Sequence, residues 1–182
     1  MRIAAFDLET SGLDGDWASI LCGSFCIIGS RDIKEIGKVY TFTRTIRSKD
    51  PFDDAALATK LRNEVEDFNV IVTWNGKLFD VPFLNARLLK AEAADCNPQM
   101  HLDMMWYAAG SSARLASRKL DNVAKFFKTP NQKYDVMPEV LQASRYGDPD
   151  ALKEVIKHCE TDVRILRDVY WQLLPRVRNI HR

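Results

Sequence analysis

The chain has 182 residues, of which 46% are apolar, and its 26 lysines and arginines almost balance its 25 aspartates and glutamates. A chain of this length is expected to fold as one domain, residues 1–182, whose core needs no disulfides or structural metal. The four cysteines form no C-x-x-C pair and no histidine cluster completes a zinc site, which indicates reduced thiols in the cytoplasm. We find neither a signal peptide nor an apolar run of membrane-spanning length, so we expect no membrane contact.

The predicted elements in chain order are strands at Ile3 to Leu8, 18–29 and 36–46, a helix at 53–68, a strand at Val70 to Trp74, a helix at 81–94, a short strand at His101 to Met104, a helix at 120–127 among loops, and a long helix from about Asp148 to Leu174. These assignments rest on the spacing of apolar residues, which alternates in strands and recurs every three to four positions in helices. Pro82 and Pro149 suit the first turns of their helices, and Pro175 suits a helix end. This order of elements predicts an α/β fold with a mixed central β-sheet flanked by helices.

The first apolar strand runs directly into an acidic segment, FDLETSGL, residues 6–13. Because side chains alternate along a strand, Asp7 and Glu9 share one face and Leu8 lies on the other. Two ionised carboxylates this close repel each other and resist burial unless a cation lies between them. Hard divalent ions such as Mg²⁺ and Mn²⁺ prefer oxygen ligands of this kind. An isolated pair of this type is more often two solvated residues at a strand end.

Two later segments place acidic residues on predicted helices. In NGKLFDVPFL, residues 75–84, Asp80 stands where a helix begins; a capping role explains that position but not its apolar neighbours. In HCETDV, residues 158–163, His158 and Asp162 are four positions apart and therefore share one helix face, as an ordinary surface pair also would. The three segments are more informative together than any one of them alone.

Together, and in this order, the three segments resemble the motifs of the DnaQ-like 3′→5′ exonuclease superfamily, named DEDD after its four acids. Asp7 and Glu9 match the first motif, Asp80 the second and Asp162 the third, and the resemblance extends from residue 3 to about residue 170. The segments 119–127 and 145–166 look like the RNase H-like predicted-exonuclease branch. The resemblance implies an RNase H-like fold in which the four acids meet at one edge of a mixed sheet.

His158 departs from the pattern of the superfamily. One branch has a tyrosine four positions before the last acid and the other has a histidine five positions before it, whereas this chain has a histidine at the tyrosine spacing. A neutral imidazole, with an ordinary pKa of about 6.5, is able to accept a proton from the attacking water. A tyrosine, with an ordinary pKa of about 10, would rather orient that water. We therefore predict His158 as the general base, with orientation of the water as the alternative.

The resemblance implies two divalent ions, Mg²⁺ or Mn²⁺, held by the four acids, with Asp7 bridging both. The implied activity is metal-dependent 3′→5′ exonuclease hydrolysis, which releases nucleoside 5′-monophosphates from the 3′ end of DNA. One alternative is an exoribonuclease that trims RNA; DNA is favoured because the second and third motifs look closer to DNA-processing members. Another is a catalytically silent nucleic-acid-binding module, against which the presence of all four acids argues. We find no polymerase or helicase segment, so we expect the domain either to act alone or to join a polymerase or repair partner in trans.

A tight turn after the first motif is predicted to contact the substrate. By resemblance, the terminal nucleotide lies against the backbone of this turn and against its last side chain, and the residues concerned are Thr10, Ser11, Gly12 and Leu13. Asn75 and Phe79 are further candidates for contact with the sugar or the base. Phe79 fits a core position better than a substrate contact.

Basic residues are predicted to track the phosphate backbone of a single strand or of DNA with a free 3′ end. Arg114 and Arg118 are favoured, because their Ser/Ala-rich loop lies between the second and third acidic motifs. The other basic candidates, each of which is by itself more often a solvated surface residue, are Arg44, Arg47, Lys49, Lys119, Lys125, Lys128 and Lys133. Trp17 is predicted to be exposed, and the remaining tryptophans are predicted to lie in the core.

Overall fold

In the computed structural model, which describes residues 1–45, 50–108 and 115–177, five strands form one sheet in the order β3-β2-β1-β4-β5. The strands are β1 (Ile3–Thr10), β2 (Ile20–Gly29), β3 (Val39–Thr43), β4 (Val70–Thr73) and β5 (His101–Asp103). β2 pairs antiparallel with both β1 and β3, whereas β4 pairs parallel with both β1 and β5. The predicted mixed sheet is therefore confirmed.

Helices flank this sheet, also as predicted. Those within the described ranges are α1 (Ala55–Asp67), α2 (Asp80–Lys90), α3 (Met104–Ala108), α4 (Leu120–Phe127), α5 (Pro138–Arg145) and α6 (Pro149–Leu173), with 3₁₀ turns at Ile33–Glu35 and Leu174–Arg176. The long helix α6 begins with a capping aspartate, since the side chain of Asp148 accepts hydrogen bonds from the N–H groups of Asp150 and Ala151. None of the helices that the structure describes combines the length and the hydropathy of a membrane span.

The two faces of β1 bury different parts of the core. The even-numbered residues 4–8 pack with α1 and α2, whereas Ile3 and Ala5 pack on the opposite face with residues of α4 and α6. Because side chains alternate along a strand, Asp7 and Glu9 continue the row of Ile3 and Ala5. The alternation therefore turns the acidic pair toward the long helix.

The predicted strand ends differ from the observed ones where pairing or turns intervene. β1 continues past Leu8 to Thr10, because its antiparallel pairing with β2 extends through the acidic pair and places Glu9 opposite Cys22. β3 is shorter than the predicted strand at its start, because Gly37 adopts a positive φ of 86° and turns the chain before the strand begins. Strand pairing at the end of β1 and turn geometry at the start of β3 thus shift the predicted ends by two or three residues.

The tryptophans are more exposed than predicted. Trp17 is 77% exposed, as expected, and Trp74 is half-buried against the core. The core positions predicted for Trp106 and Trp171 are wrong, because these side chains are 57% and 51% exposed. Trp106 lies on the short surface helix α3, and Trp171 lies on the outer face of α6 beside the buried ring of Tyr170.

A buried ion pair joins α2 to the residue that precedes α1. The Nε and Nη2 atoms of Arg87 donate to the carboxylate of Asp54 at 2.9–3.1 Å, and both side chains are at most 3% exposed. The same guanidinium donates to the carbonyl oxygens of Gly15 at 2.8 Å and Phe52 at 2.9 Å. The carboxylate also accepts the N–H of Ile20 at 2.7 Å. This network connects the start of β2 to the helices that cover it.

Candidate active site

Asp80 reaches the acidic pair through the backbone of β1. β4 pairs with β1 only from Ile3 to Ala5, which leaves the N–H of Leu8 to donate to Oδ1 of Asp80 at 3.0 Å. Leu8 lies between the two acids of the first segment, so this bond brings the Asp80 carboxylate beside them. Asp80 is 3% exposed, and its carboxylate therefore does not act as a solvated helix cap.

The turn between β4 and α2 determines where Asp80 lies. Asn75 adopts a positive φ of 66°. A Cβ on Gly76 would lie 2.5 Å from the side chain of Thr73, the last residue of β4, so only glycine fits there without a shift. Asp103, at the end of β5, accepts the N–H of Asn75 at 2.9 Å and a second N–H of the turn at 3.1 Å. Asp103 therefore supports the turn that leads to Asp80.

α6 brings its histidine and its aspartate to the same place. His158 and Asp162 lie one helical turn apart and are 7% and 4% exposed. Nε2 of His158 lies 3.4 Å from Oε1 of Glu9 and 3.8 Å from Oδ2 of Asp162. Glu9 of the first segment and Asp162 of the third thus face one imidazole, and Asp162 is not the solvated residue that a surface pair would require.

Three further side chains contact this cluster. Lys133, in the coil between α4 and α5, forms an ion pair with Asp162, and the ring of Tyr134 packs edge-on against His158 with ring centroids 5.2 Å apart. Sγ of Cys159 lies 3.6 Å from Oδ2 of Asp7 and 3.4 Å from its carbonyl oxygen. Lys133 is predicted from the sequence only as a contact of the phosphate backbone, because a coil residue 29 positions from Asp162 carries no local signal of this ion pair.

Burial and mutual repulsion raise the pKa values of three acids. The pKa of Asp7 lies well above its ordinary range because the carboxyl is buried and because Asp80, Asp162 and Glu9 repel its negative charge. Burial and the charge of Asp162 raise the pKa of Glu9 to about 8, and burial raises the pKa of Asp80 to about 7. Lys133 opposes this effect at Asp7 and Glu9. Fully ionised, the cluster would therefore carry more negative charge than its neighbours neutralise, and without a cation it retains protons near neutral pH.

His158 is suited to accept a proton. Burial lowers its pKa, an effect that Asp162 and the backbone of Tyr134 partly offset. The imidazole is therefore neutral at neutral pH, as a general base must be. Its Nε2 atom faces the carboxylates of Glu9 and Asp162, which would stabilise the imidazolium formed by proton transfer.

The donor set fits hard divalent cations. Two groups of three residues each offer possible ligand atoms that lie within 4.8 Å of one another. One group is Asp7, Glu9 and Cys159, and the other is Glu9, His158 and Asp162. Oδ1 of Asp162 is buried without a hydrogen-bond partner among the described residues, as a metal-ligating oxygen is before its ion binds. Asp80 belongs to neither group, and its negative charge helps to raise the pKa of Asp7. Carboxylate oxygens in this number are the ligands of Mg²⁺ and Mn²⁺.

A family model described as the RNase H superfamily matches residues 4–174 of the chain. The chain belongs to the RNase H superfamily. Its fold is similar to that of the family B DNA polymerase from the hyperthermophilic archaeon Pyrobaculum calidifontis, with a TM-score of 0.72 and 18% sequence identity. The match covers 96% of this chain and 25% of the polymerase chain, so this chain spans a quarter of that protein's length. No curated protein sequence matches it. The expected RNase H-like fold is confirmed.

The turn after the first motif of this RNase H-like chain projects its last side chain into solvent. Thr10 and Ser11 are buried, and their hydroxyls serve the loop itself: Thr10 Oγ1 donates to the carbonyl of Gly12 at 2.6 Å, and Ser11 Oγ accepts the N–H of Ser19 at 3.0 Å. Leu13 is 80% exposed. Leu13 is therefore available to a substrate, whereas the hydroxyls of Thr10 and Ser11 are already bonded.

The other predicted substrate contacts have different surroundings. Phe79 is half-buried and packs against Phe83 with ring centroids 5.6 Å apart, as a core side chain does. Arg118 is exposed, and its carbonyl oxygen accepts the indole N–H of Trp74 at 3.0 Å, which holds its segment beside the turn that contains Asn75. Arg114 lies outside the described residues.

One basic residue predicted to track phosphate has a structural role instead. Arg44 is 5% exposed, and its Nη1 atom donates to the carbonyl oxygens of Pro51 at 2.9 Å and Arg145 at 2.5 Å. A guanidinium buried in this way is not available to a nucleic-acid backbone. Arg47 and Lys49 fall outside the described part of the chain. The remaining basic candidates, which are exposed, are Lys119, Lys125 and Lys128.

Proposed function

We propose that residues 1–182 form a single 3′→5′ exonuclease domain of the DnaQ-like DEDD kind, which releases nucleoside 5′-monophosphates from the 3′ end of DNA. The observation that supports this proposal most directly is that three distant segments bring four carboxylates together, two of which, Glu9 and Asp162, face a buried, neutral histidine. A purely structural role would not favour buried carboxylates that repel one another. Membership of the RNase H superfamily and similarity to a DNA polymerase support a nucleic-acid substrate.

The carboxylates would hold two Mg²⁺ or Mn²⁺ ions. When bound, such cations stabilise the negative charge that develops during phosphodiester hydrolysis and make the attacking water more acidic. Asp7, Glu9, Asp80 and Asp162 would hold these ions. The raised pKa values of Asp7, Glu9 and Asp80 support this assignment, because a cation relieves the repulsion that raises them.

His158 is the proposed general base. Its Nε2 atom would accept a proton from the attacking water, and Glu9 and Asp162, at 3.4 Å and 3.8 Å, would stabilise the resulting positive charge. Lys133 adds a positive charge beside Asp162 and thereby lowers the repulsion between the cluster and an anionic substrate. The neighbouring ring of Tyr134 restricts the orientation of the imidazole.

Exposed residues near the cluster are the proposed contacts of the strand. Leu13 would pack near the base of the terminal nucleotide, with the backbone of residues 10–12 beside its sugar. Arg118 would contact the phosphate backbone, since it is exposed and its segment is held beside the turn that leads to Asp80. These contacts require no base-specific hydrogen bonds, and we therefore expect little dependence on sequence.

Degradation of labelled strands tests this function. Single-stranded DNA and RNA, each labelled at the 5′ end, are incubated with the protein and Mn²⁺ or Mg²⁺, and the products are separated by length. We expect a ladder that shortens from the 3′ end of DNA. Asp162→Asn should lower the rate by more than about a hundredfold, because even groups that only support metal ligands contribute 10–100-fold.

The matched control is Glu92→Gln, an acid-to-amide change at an exposed position just after α2, which should leave the rate unchanged. Release of the labelled terminal nucleotide as the first product would show the opposite direction, and internal fragments would show an endonuclease. Shortening of RNA alone would favour the exoribonuclease. Tight binding of both strands without any metal-dependent cleavage would indicate a silent binding module.

A further inference from the structure

The loop that joins β1 to β2 is held by side chains from two helices. This β1–β2 loop, residues 11–19, directly follows Glu9 and carries the exposed Leu13. Three side chains donate hydrogen bonds to backbone carbonyl oxygens of this loop. Nε2 of Gln142 donates to Ser11 at 2.7 Å, and Nη1 of Arg87 donates to Gly15 at 2.8 Å. Nη2 of Arg145 donates to Trp17 at 2.9 Å. Two of the three donors belong to α5, which supplies one at each end of the loop.

α5 is itself fixed to the rest of the site. The guanidinium of Arg145 stacks over the ring of Phe52 at 3.7 Å, and the carbonyl oxygen of Arg145 accepts a hydrogen bond from Arg44 at 2.5 Å. On its other side, α5 packs through Val140 and Leu141 against a cluster that includes Cys159 of α6. α6 also carries His158 and Asp162. α5 therefore connects the β1–β2 loop to the helix that bears two of the five members of the catalytic cluster.

The bond from Gln142 is the most direct of these connections to the proposed substrate contact. Ser11 lies two positions before Leu13, and its own N–H donates to the carbonyl of Ser19 at 3.0 Å, which closes the loop at its base. Leu13 and Trp17 are 80% and 77% exposed, so packing of these side chains does little to hold the loop. Side-chain donors from the neighbouring helices to its carbonyl oxygens therefore help to hold it, together with Ala18, which is buried in the core.

We propose that Gln142 is a positioning residue for the reaction: it holds the β1–β2 loop at a set distance from the carboxylate cluster, so that a terminal nucleotide packed against Leu13 lies within reach of that cluster. This inference rests on the proposed exonuclease function. Gln142 touches neither the cluster nor the strand, and it acts through the backbone of Ser11. Its removal should therefore weaken productive binding of the strand and leave the metal-binding carboxylates in place.

Two replacements of Gln142 test this role. Gln142→Ala removes the donor, and Gln142→Glu replaces it with a carboxylate that repels the carbonyl of Ser11. Because the side chain is exposed, neither change is expected to prevent folding. Both should raise the KM for single-stranded DNA by about three- to tenfold, the effect of losing one hydrogen bond, with the Mn²⁺ affinity unchanged by calorimetry. Glu139→Ala, at an exposed position one turn earlier on α5, is the matched control and should change neither quantity.

Amide hydrogen exchange of the metal-free, strand-free protein supplies a readout that does not depend on activity. We expect faster exchange in residues 12–18 of both Gln142 variants and unchanged exchange in β1 and β4. Unchanged exchange in the loop would overturn the inference, because Gln142 would then not hold it. Faster exchange with an unchanged KM would also overturn it, because the loop would then not position the strand. A wild-type protein that shortens neither DNA nor RNA would instead overturn the proposed function, before any variant is compared.

Discussion

Replacing Glu9 with glutamine should stabilise the metal-free protein at alkaline pH. Burial and repulsion by Asp162 raise the pKa of Glu9 from its ordinary 4.5 to about 8. The folded protein therefore binds this proton more tightly than the unfolded chain does. The resulting contribution to the free energy of unfolding is fully present below pH 4.5 and is lost as the pH rises through about 8. Glutamine carries no charge and avoids this loss.

The size of the effect follows from the pKa interval. Stability falls by about 1.4 kcal/mol for each pH unit over which the folded protein retains a proton that the unfolded chain has released. The interval from 4.5 to about 8 sets an upper limit near 5 kcal/mol. Glu9 is not fully shielded from solvent, its side chain being 16% exposed, and we therefore expect about 2–4 kcal/mol. For a chain of this length, that corresponds to a rise of roughly 5–15 °C in the unfolding midpoint.

Thermal unfolding followed by circular dichroism, with a chelator present, measures this effect. The difference between Glu9→Gln and wild type should be large at about pH 8 and small at about pH 5, where Glu9 is protonated in the folded protein. Saturating Mn²⁺ should reverse the order at the higher pH, because wild type binds the ion more tightly and is stabilised by it. Glu92→Gln, at an exposed position just after α2, is the control and should behave as wild type. A Glu9→Gln variant that unfolds at or below the wild-type midpoint at about pH 8 would refute the argument from burial and repulsion.

Three other replacements test separate parts of the structure. Arg87→Ala leaves the carboxylate of Asp54 buried and unpaired, and it should lower the free energy of unfolding in urea by about 3–5 kcal/mol; a loss under about 1 kcal/mol would contradict this account of the ion pair. Gly76→Ala places a Cβ 2.5 Å from the side chain of Thr73, and it should cost about 1–3 kcal/mol in the same assay. His158→Ala should remove the acid limb of the pH–rate profile. In wild type the rate should fall as the pH drops below about 6.5, because burial lowers the pKa of the imidazole and only its neutral form accepts a proton. An acid limb that persists in this variant at saturating Mn²⁺ would exclude His158 as the base.

Several features of the site follow from residues close together in the sequence. Alternation along β1 places Asp7 and Glu9 on one face, and the four-residue spacing on α6 places His158 above Asp162. Apolar spacing likewise predicts every strand of the sheet and the major helices. These predictions succeed because each depends only on the geometry of a single element.

Other features of the site required the tertiary structure, because they join residues that local patterns cannot relate. Asp80 bonds to β1 across 72 positions, and Gln142 reaches the β1–β2 loop across 131. Lys133 and Tyr134 lie in coil, where no periodicity indicates a direction. Their contacts depend on how α5, α6 and the sheet pack together. The sequence by itself thus determined which carboxylates share a face or a helical turn, whereas packing over the whole chain decided that they meet and which cation and aromatic ring lie beside them.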